Sequence, residues 1–147
     1  MKTMIREIVK DTDKLQQPCK LAIKKNKQEI ADIIQDLKDT AMAYEESKNC
    51  VGLAANQIGY DKRIIIGNFD GKRWTVMINP RITNHSKSIE VSEEGCLSLE
   101  GTRNVVRFKA VEVMYLDESF KAHTVRLKGF SGYIAQHEID HLNGKLI

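Results

Sequence analysis

Gln136-His137-Glu138-Ile139-Asp140-His141-Leu142 is the stretch that decides how this chain is read. On an α-helix His137 and His141 stand four residues apart, so their side chains share a face with Cβ atoms about 5–6 Å apart. That spacing lets two imidazoles hold one metal ion, and Glu138 flanks the same face, where it can reach a water without ligating. Ser131 precedes the run as a candidate N-cap, and Asn143-Gly144 closes it as a C-cap would. Ile134, His137, Glu138 and His141 fall on one stripe. Ala135, Ile139 and Leu142 make much of the remaining surface apolar, which predicts a helix buried nearly all round. Two histidines and a glutamate inside such a helix are hard to assign to packing, because unpaired buried polar groups cost several kcal/mol. The competing reading is a chance match on a solvated helix, and the apolar flanks argue against it.

Length and composition set the frame. At 147 residues the chain has the size of one domain, 1–147, with room for a sizeable core. The formal net charge of +3 is too mild to imply a nucleic-acid partner. The nearest thing to a basic run, Lys20–Lys27, reads first as a solvated loop or helix start. Met1-Lys2-Thr3 begins no apolar leader, and no apolar run approaches membrane-span length, so the expectation is a cytoplasmic protein. Three widely spaced cysteines do not form a disulfide framework.

Outward from the helix, the chain predicts an α+β arrangement. Residues 1–24 read as an extended arm. Gln28–Ser47 has helical periodicity, with Ile30, Ile33, Ile34, Leu37, Ala41, Met42 and Tyr44 on one stripe. Asn49–Gly59 breaks the pattern: small, apolar and glycine-containing, with Gln57 near its end, it reads as a tight connection or as a loop whose backbone approaches a ligand. Arg63–Gly67 and Arg73–Asn79 read as a hairpin around Asp70-Gly71. Ile82–Ser88 reads as an edge strand or loop, Ile89–Glu94 alternates weakly, and Val105–Asp117 is the longest β-rich run. A turn near Asp117–Ser119 leads to Lys121–Leu127, and Gly129 begins the last helix. The expected fold is antiparallel or mixed β-sheets packed around a buried C-terminal helix carrying H-E-x-x-H, plus an N-terminal amphipathic helix.

A catalytic metal needs a third ligand and an open position. The candidates are Cys19, Cys50, Cys96, His85, His123 and many carboxylates. Cys96 stands out in Glu93-Glu94-Gly95-Cys96-Leu97-Ser98, after a predicted strand and beside a glycine that lets backbone approach a site. His85 and His123 have polar surroundings and read as surface residues.

Together, Glu94-Gly95-Cys96-Leu97-Ser98, His137-Glu138-Ile139-Asp140-His141 and the Val51–Gln57 loop resemble, in order and spacing, the three motifs of peptide deformylases. Asp61-Lys62-Arg63 and Ile78-Asn79-Pro80 agree, and the resemblance spans nearly the whole chain. It implies removal of the N-formyl group from formylmethionine, on N-formylmethionyl nascent peptides near the ribosome exit. It implies Cys96, His137 and His141 as ligands of one divalent metal, Fe2+ expected, with Zn2+, Ni2+ or Co2+ able to replace it. Glu138 would be the catalytic carboxylate, and Gln57 and the Leu97 N–H the oxyanion donors. Backbone of Val51, Gly52, Gly95 and Leu97 would pair with an extended peptide. Val51, Phe130, Tyr133 and Ile134 would form the methionine pocket, with core packing as the alternative for the last three. Arg103 would hold the site or the peptide, or else lie in solvent.

Three departures stand out. Cys50 occupies a position where the family usually has glycine, which would strain the backbone if a positive φ is needed there; Cys50 near the metal could also pair with Cys96. Asn56 replaces the proline usual before the loop glutamine, and Glu100 a proline after Cys-Leu-Ser. The readings to be separated are therefore an active deformylase, a deformylase-like metal-binding protein without activity, and a different H-E-x-x-H protease or amidase.

Overall fold

The structure is a computed structural model describing residues 4–147; Met1–Thr3, read above for the absence of a leader, lie outside the described residues. Helices α1 (Thr12–Leu15), α2 (Lys27–Lys48) and α3 (Phe130–Leu142) are joined with seven strands in an α+β arrangement. The strands are β1 (Gly52–Ala54), β2 (Ile64–Gly67), β3 (Thr75–His85), β4 (Ile89–Cys96), β5 (Leu99–Phe108), β6 (Ala110–Leu116) and β7 (Ala122–Lys128). A five-stranded antiparallel sheet runs β1-β2-β3-β6-β7, and β4 and β5 form a separate antiparallel pair.

Strand β2 shows why the core sits where it does. All four of its residues are buried, so it is apolar on both faces, as a strand between two covered faces must be. Ile64 and Ile66 pack with Ile30, Ile33, Ile34 and Leu37 of α2. Ile65, on the opposite face, packs with Ala135, Ile139 and Leu142 of α3. The sheet thus separates the two long helices, and α3 also touches β5.

Several expectations need correcting. The arm is not wholly extended: Asp11 caps the short helix α1 by accepting from the backbone N–H groups of Asp13 and Lys14. Ile82–His85 is strand rather than loop: it continues β3 beyond the reach of β2 and pairs on one side only, with β6, as an edge strand does. Pro80 is tolerated inside it because the ladder is irregular between Ile78 and Arg81, where no N–H is required. The Val105–Asp117 run is two strands in two sheets, broken at Lys109. Gln136 stabilises that break: its side chain accepts from the Phe108 N–H and donates to the Phe108 carbonyl, both at 2.9 Å. Ser131 does not cap α3. The cap position is Gly129, without a side-chain bond, while the Ser131 hydroxyl donates to the Phe69 carbonyl. At the other end, Arg63 donates to the Leu142 carbonyl at 2.9 Å, satisfying a last-turn acceptor.

Candidate metal centre and active site

The helix α3 presents His137, Glu138 and His141 toward the end of β4, whose last residue is Cys96. The ligand atoms of Cys96, His137 and His141 all lie within 4.8 Å of one another. The two Nε2 atoms face each other 3.2 Å apart. Two metal–nitrogen bonds of about 2.0–2.1 Å at a tetrahedral angle set their nitrogens roughly 3.3 Å apart, so the pair already has the spacing a metal requires. A soft thiolate with two imidazoles suits Zn2+ or Fe2+, so the residues present fit a metal.

These three candidate ligands are backed by residues that the sequence left without a role. His137 donates from Nδ1 to Glu94 Oε1 at 2.8 Å, which leaves Nε2 free to ligate. Arg107 donates to both oxygens of Glu94, at 2.9 and 2.7 Å, and to Asp140 at 2.5 Å. Arg107 is only 4% exposed. A guanidinium so buried needs carboxylates on both sides, and its planar fork meets Glu94 with two parallel bonds. The only signal in the sequence was an arginine in a β-rich run together with Glu94 and Asp140 inside the two motifs.

Charge follows from these contacts. Burial opposes ionisation of Glu94, but hydrogen bonds from Arg107 and His137 outweigh it and hold its carboxyl down at about 2. Burial likewise opposes charge on His137, yet its contacts with Cys96 and Glu94 raise it to about 10. Burial and the neighbouring His137 charge push His141 down to about 3. Glu138 is 4% exposed and its Oε1 has no partner among the described residues. Burial raises its carboxyl to about 7.

Gly52 of β1 makes room for Glu138: a Cβ there would lie 2.7 Å from Glu138 Oε2. The loop reads in sequence as bringing backbone close to a ligand; at Gly52 the close approach is instead to the Glu138 side chain. Cys50 adopts no positive φ; the left-handed residue is its neighbour Asn49, φ 54°, which ends α2. The Cys50 thiol is free, donates to the Gly52 carbonyl at 3.4 Å, and is raised by burial to about 12. Asn56 replaces a proline with a bond: its Nδ2 donates to the His141 carbonyl at 2.7 Å.

A cavity of about 1050 Å3 opens onto this centre, lined by Val51, Gly95, Cys96, Leu97, Phe130, Tyr133, Ile134, His137 and Glu138 among others. Gly52, Gln57, Arg103 and His141 are not among the lining residues. Gln57 is buried, accepting from the Ala54 N–H at 3.0 Å and donating to Ser98 Oγ at 3.2 Å. Arg103 donates to the Glu100 carbonyl at 3.1 Å. Gly52 and Gly95 lie on strands at sheet edges, and Gly95 also lines the cavity: β1 is the outer strand of its sheet and β4 belongs to a two-stranded one. His85 and His123 are exposed, one stacked on Phe108 and the other bonded to Asp117.

Comparison with known proteins gives a consistent result. The family model described as polypeptide deformylase matches residues 5–147. A peptide deformylase of Clostridium beijerinckii is 43% identical over 144 residues, covering 98% of this chain and 100% of that protein. The crystal structure of peptide deformylase from Thermotoga maritima superposes with a TM-score of 0.88 at 31% identity, covering 97% of this chain and 95% of that one. A Met-Ala-Ser-bound class I type b peptide deformylase from Acinetobacter baumannii superposes with a TM-score of 0.84 at 29% identity, covering 99% and 97%.

Proposed function

The chain belongs to the polypeptide deformylase family, and from that premise we infer which of its residues perform the reaction. The enzyme is a metal-dependent hydrolase that removes the N-formyl group from the N-terminal formylmethionine of new polypeptides, releasing formate. The single observation that carries the assignment of roles is the convergence of Cys96, His137 and His141 beside the buried, unpartnered Glu138 carboxylate.

In this reading Cys96, His137 and His141 hold one divalent metal, which when bound supplies Lewis acidity and brings the pKa of water toward neutrality. Fe2+ is the native ion, with Zn2+, Ni2+ and Co2+ as substitutes. Glu138 takes a proton from the attacking water and returns it to the leaving methionine amine, a shuttle suited to a carboxyl near 7. The Leu97 N–H and the Gln57 amide meet the charge growing on the formyl oxygen. The Gln57 amide has two N–H donors and spends one on Ser98. A donor of this kind contributes roughly 3–4 kcal/mol in the transition state.

The peptide lies extended between the free edges of β1 and β4, using backbone of Val51, Gly52, Gly95 and Leu97. Its methionine side chain sits against Val51, Phe130, Tyr133 and Ile134. The bound Met-Ala-Ser of the Acinetobacter baumannii structure supports a peptide in this cleft. Arg103 steadies the β4–β5 turn through Glu100 rather than reaching the cleft. The chain works as one domain in the cytoplasm, meeting its substrate at the ribosome exit; among the described residues no helix is long and apolar enough to cross a membrane. The family membership removes the protease reading. Cys50 was the residue that favoured an inactive binder, and its ordinary backbone and buried thiol remove that argument.

The test is reconstitution. Metal-free protein titrated with Fe2+ under anaerobic conditions should release formate from formyl-Met-Ala-Ser in proportion to bound iron, up to one equivalent. Cys96→Ala should lose tight metal binding; unchanged affinity in that variant would overturn the ligand set.

A further inference from the structure

Residues 7–11 belong to none of the strands, yet Glu7, Ile8, Val9, Lys10 and Asp11 line the cavity that opens onto the metal centre. Something other than a β-ladder must hold them there. At the near end, Arg6 Nε donates to Asp36 Oδ2 at 2.9 Å and Arg6 Nη2 donates to the Tyr60 hydroxyl at 2.8 Å. Tyr60 closes the triangle by donating to the same Asp36 oxygen at 2.6 Å. The Arg6 N–H donates to Thr40 Oγ1 at 2.8 Å and the Met4 N–H to Asp39 at 2.9 Å. Asp36 and Thr40 are 5% and 0% exposed, so the acceptors on α2 are buried, while the Arg6 side chain that reaches them is 39% exposed. In the middle, the Val9 N–H donates to the Gln57 carbonyl at 2.7 Å. At the far end, the Cys19 N–H donates to the Leu142 carbonyl of the metal helix at 2.8 Å. Gly144, at φ +77°, lets the chain pass where a Cβ would lie 2.5 Å from the Gln16 carbonyl oxygen. The segment is thus strapped from α2, across the cleft, to the end of α3.

We propose that residues 7–11 form a wall of the peptide-binding cleft and that Arg6, fastened to Asp36 and Tyr60, is the positioning residue that holds that wall in place. The inference rests on the deformylase reading. It assigns the arm to binding of the peptide beyond the formylated methionine, because a wall that must be ordered anew at each encounter costs affinity.

The experiment compares iron-loaded wild type, Arg6→Ala, Arg6→Lys and Tyr60→Phe on two substrates, formyl-Met-Ala-Ser and formyl-Met amide, which has no following residues. For Arg6→Ala the KM for formyl-Met-Ala-Ser should rise about tenfold, with kcat within about twofold and KM for formyl-Met amide unchanged. Arg6→Lys, which keeps the charge but cannot reach both partners, should recover part of the loss. An unchanged tripeptide KM, or an equal loss on both substrates, would overturn the proposal. If Arg6→Ala does not fold, Tyr60→Phe decides in the same way, with a KM rise of about threefold expected and no rise contradicting it. Wild type inactive on formyl-Met-Ala-Ser would sink the functional reading; active wild type beside an unaltered Arg6 variant would sink this inference alone.

Discussion

At the scale of single residues, the site is a set of groups whose ionisation is shifted, in opposite directions, by burial and by partners. Glu94 has its carboxyl lowered from 4.5 to about 2. A carboxyl lowered on folding contributes stability that is present above its unfolded pKa and lost as pH falls toward the folded one. The metal-free protein should therefore weaken between about pH 4.5 and 2, by on the order of 3 kcal/mol from this group. Acid titration of the melting temperature checks this: Glu94→Gln should flatten that part of the curve while starting from a lower stability. Glu138 has the opposite sign. Its carboxyl is raised from 4.5 to about 7 by burial, so its contribution is present below the unfolded value and lost as pH rises through the folded one. The Gly52→Ala change tests how tightly Glu138 is seated. The added methyl would lie 2.7 Å from Glu138 Oε2, so activity should fall about a hundredfold with metal content unchanged. Formate release set against bound iron measures that directly. These residues differ in how visible they were beforehand. His137, Glu138 and His141 are legible because one helix turn fixes their spacing, and Cys96 because of the small residues around it. Arg107 is not, because its two carboxylate partners come together only through the β4–β5 pairing and the docking of α3.

At the scale of elements, the β4–β5 pair and α3 behave as one unit joined by the Glu94–Arg107–Asp140 bridge and by Gln136 on Phe108. Arg107→Ala removes the cation shared by Glu94 and Asp140, leaving buried Glu94 with His137 alone and half-buried Asp140 with the exposed Lys145, a loss of about 3 kcal/mol. It should also weaken metal affinity by about 10–100-fold, since Glu94 then orients His137 less well. Thermal unfolding and competitive metal titration check the two effects. The boundaries of the elements were the least readable feature. A continuous β-rich run spans Val105–Asp117, and the one local sign that the chain changes sheets at Lys109 is a shift in apolar phase at Ala110-Val111. Pro80 suggested a strand end, but the irregular ladder after Ile78 lets β3 continue. Ser131 had the chemistry of a cap, but tertiary packing drew its hydroxyl to Phe69 instead.

At the scale of the whole molecule, a sheet with a helix on each side brings a loop after α2, a hairpin turn and a C-terminal helix to one point. The α+β arrangement followed from the order of periodicities, whereas the separate two-stranded sheet and the strap across the cleft needed the folded chain to be seen. Because a metal bound only by the folded state stabilises it by mass action, chelation should lower the melting temperature and Fe2+ should restore it. We propose a three-ligand metal centre with Glu138 as its proton carrier. Its most direct test is formate release from formyl-Met-Ala-Ser by anaerobically iron-loaded wild type and Glu138→Ala, each carrying one iron. Wild type should turn over and Glu138→Ala should be slower by about 10²–10⁴-fold at equal metal content. Iron-replete wild type that releases no formate, or a Glu138→Ala variant as fast as wild type, would contradict it.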